Sequence, residues 1–273
     1  MSPSHKQHPL PLDKLKIDTQ NFHGLLFDID DTFTSDGKIT ADAFASLWKL
    51  YNSGVKVIAV TGRPAGWCDH IARMWPVSGV IGENGALFFR MLEGKLNKLH
   101  LVECDQVLRK KQMAEVWQQV SNEIPRAKLA SDQNYREFDL AIDFCEDVKP
   151  SLTTKEIDRI VQIFEAHHAC AKISSIHING WWGVYDKLTS TKEVFKRLYS
   201  VDLEKAEENK KYIFCGDSPN DAPMFQFFYH SIGVRNVERF LPRLPHPPRY
   251  IASKESGEGF TEIIHTLLES FFN

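Results

Sequence analysis

Three short apolar segments, each followed at once by polar residues, constrain the fold of this chain most strongly. They cover residues 24–27, 55–60 and 212–215, and each is continuously or almost continuously hydrophobic. Such a run is typical of a strand that is buried on both faces of a parallel sheet. Helical patterns separate the strands towards both ends of the chain, which predicts an α/β fold with a doubly wound parallel sheet.

The polar residues that follow these segments are expected where open α/β sheets bind ligands. Asp28 and Asp30 follow the first segment, Thr61 and Gly62 the second, and Asp217 the third. Because ligands bind outside the carboxyl ends of the strands, we expect these residues at one sheet edge. Residues i and i+2 of a strand point the same way, so Asp28 and Asp30 are predicted side by side. Two carboxylates so close repel each other unless a proton or a cation lies between them.

Together with later segments, these residues resemble the four-motif signature of the haloacid dehalogenase superfamily of aspartate-nucleophile phosphohydrolases. The segments read Asp28-Ile29-Asp30-Asp31-Thr32, Thr61-Gly62-Arg63-Pro64, Gly82-Glu83-Asn84-Gly85-Ala86, Asp186-Lys187 and Gly216-Asp217-Ser218-Pro219-Asn220-Asp221. Alone, Lys187 would be a solvated lysine, and Thr61-Gly62 a turn between a strand and a helix. The resemblance rests on residue type, order and strand context together. Asp31 departs from the family, which often has glycine there.

The resemblance implies a role for each motif residue. Asp28 is the nucleophile that accepts the phosphoryl group, and Asp30 is the general acid and base. Thr61 and the Gly62 N–H bind phosphoryl oxygens, while Lys187 holds Asp28 and one of those oxygens electrostatically. The further predicted substrate-binding residues are Arg63, Asn84 and Asn220.

The cofactor that the resemblance implies is Mg²⁺. A phosphate ester is anionic, so its charge must be neutralised before a carboxylate can attack it. Mg²⁺ prefers oxygen ligands and keeps several waters, so a few protein oxygens suffice. The predicted ligands are Asp28, the backbone carbonyl of Asp30 and Asp217, with Asn220 or Asp221 supporting them.

Residues 104–183 follow a different pattern. They predict helix 105–122, strands 126–132 and 136–144, helix 153–169, and strands 171–178 and 181–185. Polar and apolar residues alternate over 136–144, as in an antiparallel sheet with one solvated face. We therefore predict a core of residues 1–103 and 184–273 with an inserted α+β cap domain over 104–183. This order resembles the cap of the Cof-like, sugar-phosphatase branch of the superfamily (subfamily IIB), which includes the phosphomannomutases.

The expected activity is the Mg²⁺-dependent hydrolysis of a small phosphorylated metabolite, a sugar or polyol phosphate, through an aspartyl-phosphate. Two alternatives stay open. One is a phosphomutase of the phosphomannomutase type, which shares the cap, and the other is a catalytically silent binding protein on the same scaffold. A dehalogenase is disfavoured, because it would not need the acidic loop at 217–221.

Composition argues against several other classes. The net charge is −3 and no long basic run occurs, so we expect no nucleic-acid partner. The partner that the resemblance implies is a small phosphate ester. No apolar stretch approaches the length needed to cross a membrane. The five cysteines lack metal-site spacing and the N-terminus lacks a secretory signal, so we expect reduced thiols in a cytoplasmic protein. A monomer or a homodimer is expected, and the sequence does not decide between them. The first 20 or so residues are predicted to form a loose tail.

Overall fold

The computed structural model describes residues 8–103, 105–174, 176–242 and 244–272, and the chain forms two compact units. The first unit contains Met1–Val60, Trp75–Gly79 and Thr191–Asn273, and the second contains Thr61–Met74 and Val80–Ser190. The strands are β1 (Leu10–Pro11), β2 (Gly24–Phe27), β3 (Lys56–Val60), β4 (Gly79–Gly82), β5 (Leu87–Leu92), β6 (Lys95–His100), β7 (Lys128–Leu129), β8 (Leu140–Asp143), β9 (Cys170–Ile173), β10 (His177–Trp181), β11 (Tyr212–Gly216), β12 (His230–Gly233) and β13 (Tyr250–Ile251). The helices are α1 (Ala41–Asn52), α2 (Ala65–Met74), α3 (Gln106–Glu123), α4 (Thr154–Ala166), α5 (Lys187–Tyr199), α6 (Ala206–Asn209), α7 (Ala222–Phe227) and α8 (Ser256–Phe272).

The first unit is built on a parallel sheet. Its strands follow the order β1-β13-β12-β11-β2-β3, and each neighbouring pair is parallel. The three predicted apolar segments form β2, β3 and β11, which are buried apart from the half-buried Lys56. Phe27 pairs with Cys215 of β11 and Ala59 of β3, so the three strands end at the same sheet edge. The predicted parallel sheet of an α/β fold is confirmed.

The expectation of a loose tail over the first 20 or so residues is wrong for residues 8–20. The strand β1 extends the parallel sheet by pairing with β13, and the Leu10 N–H donates to the Arg249 carbonyl at 2.8 Å. Leu12 is buried in the unit. Prolines and charges hide this packing in the sequence, because the strand that receives β1 lies near the other end of the chain.

The second unit combines three antiparallel strands, β4-β5-β6, with a four-stranded antiparallel sheet of order β7-β8-β10-β9. The helices α3 and α4 share one apolar core with the latter sheet through Val120, Ile142, Phe164 and Ile178. The predicted order αββαββ is confirmed, while the cap bounds of 104–183 stay a prediction.

The solvated face expected for residues 136–144 is wrong. The side chain of Arg136 has no exposed surface, and Asp139 and Asp143 are equally buried. Asp139 pairs with Arg136, whereas Asp143 accepts hydrogen bonds from backbone N–H groups. The alternation therefore marks an internal polar network instead of a surface, because each charge finds its partner inside the unit.

The sequence predicted reduced cysteines and no membrane-spanning segment. Cys104 lies outside the described residues, Cys68 and Cys215 are buried thiols, and Cys170 is an exposed thiol. Over the described ranges, no helix is both long and apolar enough to cross a membrane.

Candidate active site

Three aspartates converge at the carboxyl edge of the parallel sheet in the first unit. Asp28 follows β2, and Asp217 and Asp221 follow β11. One carboxylate oxygen of each lies within 4.8 Å of the others, and all three residues are buried. Carboxylates this close favour a bound cation or shared protons. Burial raises the pKa of the neighbouring Cys215 thiol, and the negative charges of Asp221, Asp217 and Asp28 raise it further.

Hydrogen-bond donors orient two members of this cluster. The Asp217 N–H donates to Asp221 Oδ2 at 3.1 Å. Thr32 Oγ1 donates to Asp217 Oδ1 at 3.2 Å, and Asn236 Nδ2 contacts Asp217 Oδ2 at 3.4 Å. Position 216 requires glycine, because a Cβ there would lie 2.4 Å from Asp221 Oδ2. The missing side chain therefore lets the Asp221 carboxylate lie close to the backbone.

The sequence interpretation gave no role to Thr32 or Asn236. Asn236 also donates to the Asp31 carbonyl at 2.8 Å, so it links two loops of the site. The sequence pattern could have identified Asn236 as a site residue, because it follows β12 at the same carboxyl edge of the sheet. Asn220, a predicted ligand-binding residue, is half-buried and accepts a hydrogen bond from Ser218 Oγ at 2.7 Å.

Asp28 and Asp30 do not lie side by side in a strand, because β2 ends at Phe27. Beyond it the chain turns sharply, and Asp31 adopts a left-handed φ of 56°. Asp28 is buried, whereas Asp30 is half-buried and its carboxylate is not a member of the acidic cluster. Metal binding by the backbone carbonyl of Asp30 stays a prediction.

In the second unit, hydrogen bonds fix the backbone of the Thr61-Gly62-Arg63 loop. The Thr61 carbonyl accepts from the Asn84 N–H at 3.1 Å, and the Gly62 carbonyl accepts from Arg136 Nη1 at 2.8 Å. The Arg63 N–H donates to Thr61 Oγ1 at 3.0 Å. Within the described part of the chain, the Gly62 N–H has no hydrogen-bond partner. An oriented, unpaired N–H of this kind can bind an anion.

Arg63 and Asn84, which the sequence predicts to bind substrate, contact other protein side chains. The buried guanidinium of Arg63 donates to Asp132 at 3.2 Å and to Glu146 at 3.0 Å. Asn84 Nδ2 donates to Asp139 Oδ2 at 3.1 Å. Both residues therefore join the polar network of the second unit, and their contact with substrate stays a prediction.

The turn between β4 and β5 is strained and anchored by a buried carboxylate. Glu83, Asn84 and Gly85 have φ values of 46°, 56° and 117°. Glu83 accepts hydrogen bonds of 2.6 to 3.2 Å from the backbone N–H groups of Ala65, Glu137, Phe138 and Asp139. Burial, and then the Asp139 charge, raises the pKa of Glu83 to about 7. Backbone strain of this kind is common at functional sites.

Lys187 lies in the first turn of α5. The Thr189 N–H donates to Asp186 Oδ1 at 2.7 Å, so the Asp186 side chain caps this helix. Lys187 is 4% exposed. A Cβ at Gly85 would lie 2.4 Å from the Asp186 carbonyl oxygen, so the strained turn and this helix start are in contact.

The structure thus brings together Asp28, Asp217 and Asp221 in one unit, and Thr61, Gly62, Arg63 and Asn84 in the other. The fold is that of an α/β protein with a Rossmann-like sheet. Acidic residues lie at the carboxyl edge of this sheet, and the chain also contains an α+β module. A family model described as haloacid dehalogenase-like hydrolase matches residues 25–116. The phosphoglycolate phosphatase of Methanosarcina mazei is 26% identical over 251 residues, which cover 90% of this chain and 96% of the relative.

Solved structures share the fold over nearly their whole length. A protein of Thermoplasma acidophilum matches with a TM-score of 0.70 and 17% identity, over 90% of this chain and 98% of that one. A sucrose-phosphatase of Synechocystis, solved with sucrose and phosphate, matches with a TM-score of 0.61 and 15% identity, over 90% and 97%. Residues 25–116 therefore match the haloacid dehalogenase-like hydrolases, and the similarity to phosphatases supports a phosphoric monoester hydrolase.

Proposed function

We propose that this phosphatase depends on Mg²⁺ and hydrolyses a small sugar or polyol phosphate through an aspartyl-phosphate on Asp28. The observation that carries the proposal is the buried cluster of Asp28, Asp217 and Asp221, with oxygens within 4.8 Å of one another. Without a counter-charge, this cluster would repel the phosphate of the substrate. A cation at the cluster removes that repulsion and makes attack by a carboxylate feasible.

The donor set of the cluster fits Mg²⁺. It offers carboxylate oxygens, which are the hard ligands that Mg²⁺ prefers, and it leaves other positions to water and substrate. The hydrogen bonds to Asp217 from Thr32 and Asn236 would orient one ligand, and the N–H groups that hold Asp221 would orient another. When bound, the ion would neutralise phosphoryl charge and help to align the ester.

Two aspartates share the covalent chemistry in this proposal. The Asp28 carboxylate forms a bond to phosphorus as the ester P–O bond breaks, and Asp30 gives its proton to the leaving oxygen. In the second half-reaction, Asp30 takes a proton from a water whose oxygen attacks phosphorus. This step frees Asp28 and releases inorganic phosphate. The half-buried position of Asp30 supports the assignment, since a proton carrier must reach both the ester oxygen and water.

We assign the phosphoryl oxygens to Thr61, the Gly62 N–H and Lys187. The unpaired Gly62 N–H supports this assignment. Thr61 Oγ1 already accepts a hydrogen bond from Arg63, which directs its own O–H towards another acceptor. Lys187, a buried cation in the first turn of α5, is chemically suited to pair with an anionic oxygen. Its place in the reaction rests on the resemblance of the motif.

The α+β module within residues 104–183 acts as the cap in this proposal. It would exclude bulk water and select the ester through the part of the substrate that does not react. The named relatives support a small substrate, because one is a phosphoglycolate phosphatase and another is a sucrose-phosphatase. These names point to two chemical types, a phosphorylated hydroxy acid and a sugar phosphate.

A phosphate-release assay tests the proposal. Phosphoglycolate, sucrose phosphate, hexose phosphates and polyol phosphates are compared, each with excess chelator and with added Mg²⁺. We expect release of inorganic phosphate from at least one sugar or polyol monophosphate, only with Mg²⁺. Equal release in chelator would refute the metal, and phosphoglycolate as the sole substrate would refute the proposed class. A requirement for a sugar bisphosphate would identify a phosphomutase instead.

A further inference from the structure

One peptide group in the Thr61-Gly62-Arg63 loop is held at both ends. Its carbonyl, on Gly62, accepts from Arg136 Nη1 at 2.8 Å, and its N–H, on Arg63, donates to Thr61 Oγ1 at 3.0 Å. A planar peptide group that is bonded at both ends cannot rotate without breaking one of these bonds. Its orientation therefore sets the direction of the Thr61 hydroxyl and of the adjacent Gly62 N–H.

Arg136, the side chain that holds the carbonyl, is itself immobilised. It has no exposed surface, and its guanidinium donates to Asp132 Oδ1 at 3.0 and 3.1 Å and to Asp139 Oδ1 at 2.9 Å. Burial alone would lower the pKa of Arg136, but the Asp139 and Asp132 charges outweigh it and raise the pKa. The planar, permanently charged fork of arginine suits three fixed acceptors, which a lysine cannot serve together.

The network returns to the same loop through a second route. The other oxygen of Asp139 accepts from Asn84 and from Asn179, each at 3.1 Å. The Asn84 N–H donates to the Thr61 carbonyl, and its side-chain oxygen would lie 3.1 Å from a Cβ placed on Gly62. Arg136 thus fixes one face of the loop directly, and the other face through Asp139 and Asn84.

We propose that Arg136 is a positioning residue for phosphoryl transfer, which holds the Gly62–Arg63 peptide so that the Gly62 N–H and the Thr61 hydroxyl face the phosphoryl oxygens. This inference rests on the proposed function. The phosphoryl group is common to every substrate, so a residue that acts on it should affect all esters alike. A residue that recognises the leaving group would affect some esters far more than others.

The test is Arg136→Lys, which keeps the charge and removes the fork. We expect kcat to fall about 10- to 100-fold, as when other supporting residues of an active site are lost. The loss should be equal, within about threefold, for p-nitrophenyl phosphate and for a sugar phosphate, because neither leaving group is involved. The KM of each ester should change less than kcat, since the loop contacts tighten as charge shifts in the transition state.

The chain offers a matched control in Arg109. This arginine is also buried in the second unit, and it donates to a backbone carbonyl, that of Trp182, at 2.8 Å. Arg109→Lys should also lower thermal stability, and it should leave kcat within about twofold of wild type. A general effect of losing a buried arginine would lower kcat in both variants.

If Arg136→Lys does not fold, Asp132→Asn provides the same test. Asparagine has almost the shape of aspartate, and its neutral side chain weakens the ion pair that holds Arg136. A folded variant with wild-type kcat, or a loss confined to one ester, would overturn the inference while the wild-type enzyme remains active. A wild-type protein that releases phosphate from no ester would overturn the proposed function, and the inference with it.

Discussion

Buried aspartates occur in two regions of this protein, and their surroundings differ. In the first unit, the carboxylates of Asp28, Asp217 and Asp221 converge on one another. In the second unit, Asp132 and Asp139 converge on the guanidinium of Arg136. The same side chain therefore occurs in two settings, among other carboxylates in the first unit and beside a buried arginine in the second.

This difference in surroundings distinguishes a candidate metal site in the first unit from a structural ion-pair network in the second. Carboxylates that are paired with a buried arginine are locked, and removing one of them leaves an uncompensated charge. Carboxylates that crowd together repel one another, and a cation that is attracted to them relieves this repulsion. We therefore expect substitutions in the first region to affect activity and metal binding, and substitutions in the second to affect stability first.

The largest expected effect is the loss of activity in Asp28→Asn. The change removes the attacking carboxylate at almost constant shape, so phosphate release should fall by about 10³-fold or more. The measurement is inorganic phosphate release in saturating Mg²⁺. Asp36→Asn is the control, since Asp36 is exposed in a turn whose left-handed φ of 49° asparagine tolerates. Comparable activity in Asp28→Asn and Asp36→Asn would exclude Asp28 as the nucleophile.

The next largest effect is the destabilisation of the second region by Asp139→Asn. The neutral side chain leaves the buried Arg136 short of one carboxylate, which should cost about 3 kcal/mol of unfolding free energy. Denaturant unfolding measures it. Asp143→Asn is the control, because Asp143 is equally buried but accepts from backbone N–H groups, and it should cost about 1 to 2 kcal/mol. Equal costs would mean that the guanidinium pairing does not distinguish this network.

A pH dependence of stability should arise from Glu83. Its pKa of about 7 lies above the ordinary value of 4.5, so the folded state binds a proton more tightly than the unfolded state. The resulting stabilisation is complete below about pH 4.5 and is lost as the pH rises through 7, with a span of at most about 3 kcal/mol. The unfolding free energy of the wild type minus that of Glu83→Gln should therefore fall across this window. A flat difference would contradict the raised pKa.

The smallest expected effect distinguishes the two regions most directly. At a Mg²⁺ concentration 100 times its dissociation constant, the wild type should gain about 2.7 kcal/mol of stability. Asp217→Asn should lose this gain, because it removes a carboxylate from the cluster, whereas Asp139→Asn should keep it. Thermal unfolding with and without Mg²⁺ measures both. A Mg²⁺ gain that disappears in Asp139→Asn and persists in Asp217→Asn would reverse the assignment of the two regions.

The strand-end motifs could be read from the sequence because their geometry is local. A short apolar run must be buried, and the residues after it must emerge at the carboxyl edge, so the placement of Asp28 and Asp217 followed from chain order. Asn236 obeys the same rule after β12, although its contact with Asp217 depends on a loop that the sequence pattern does not describe. Domain bounds and individual catalytic roles remain predictions of the motif resemblance.

The sequence by itself determined the parallel sheet, the αββαββ order and the candidate residues, because hydrophobic periodicity and motif order are properties of the chain. Only the tertiary structure decided which charges are buried together. Arg136 and Asp139 resemble the polar face of a solvated strand in the sequence, yet they are buried against the loop of Thr61 and Gly62. The physical reason is that a charge pattern does not specify its counter-ions. Pairing depends on distances between segments far apart along the chain, and these distances exist only in the folded protein.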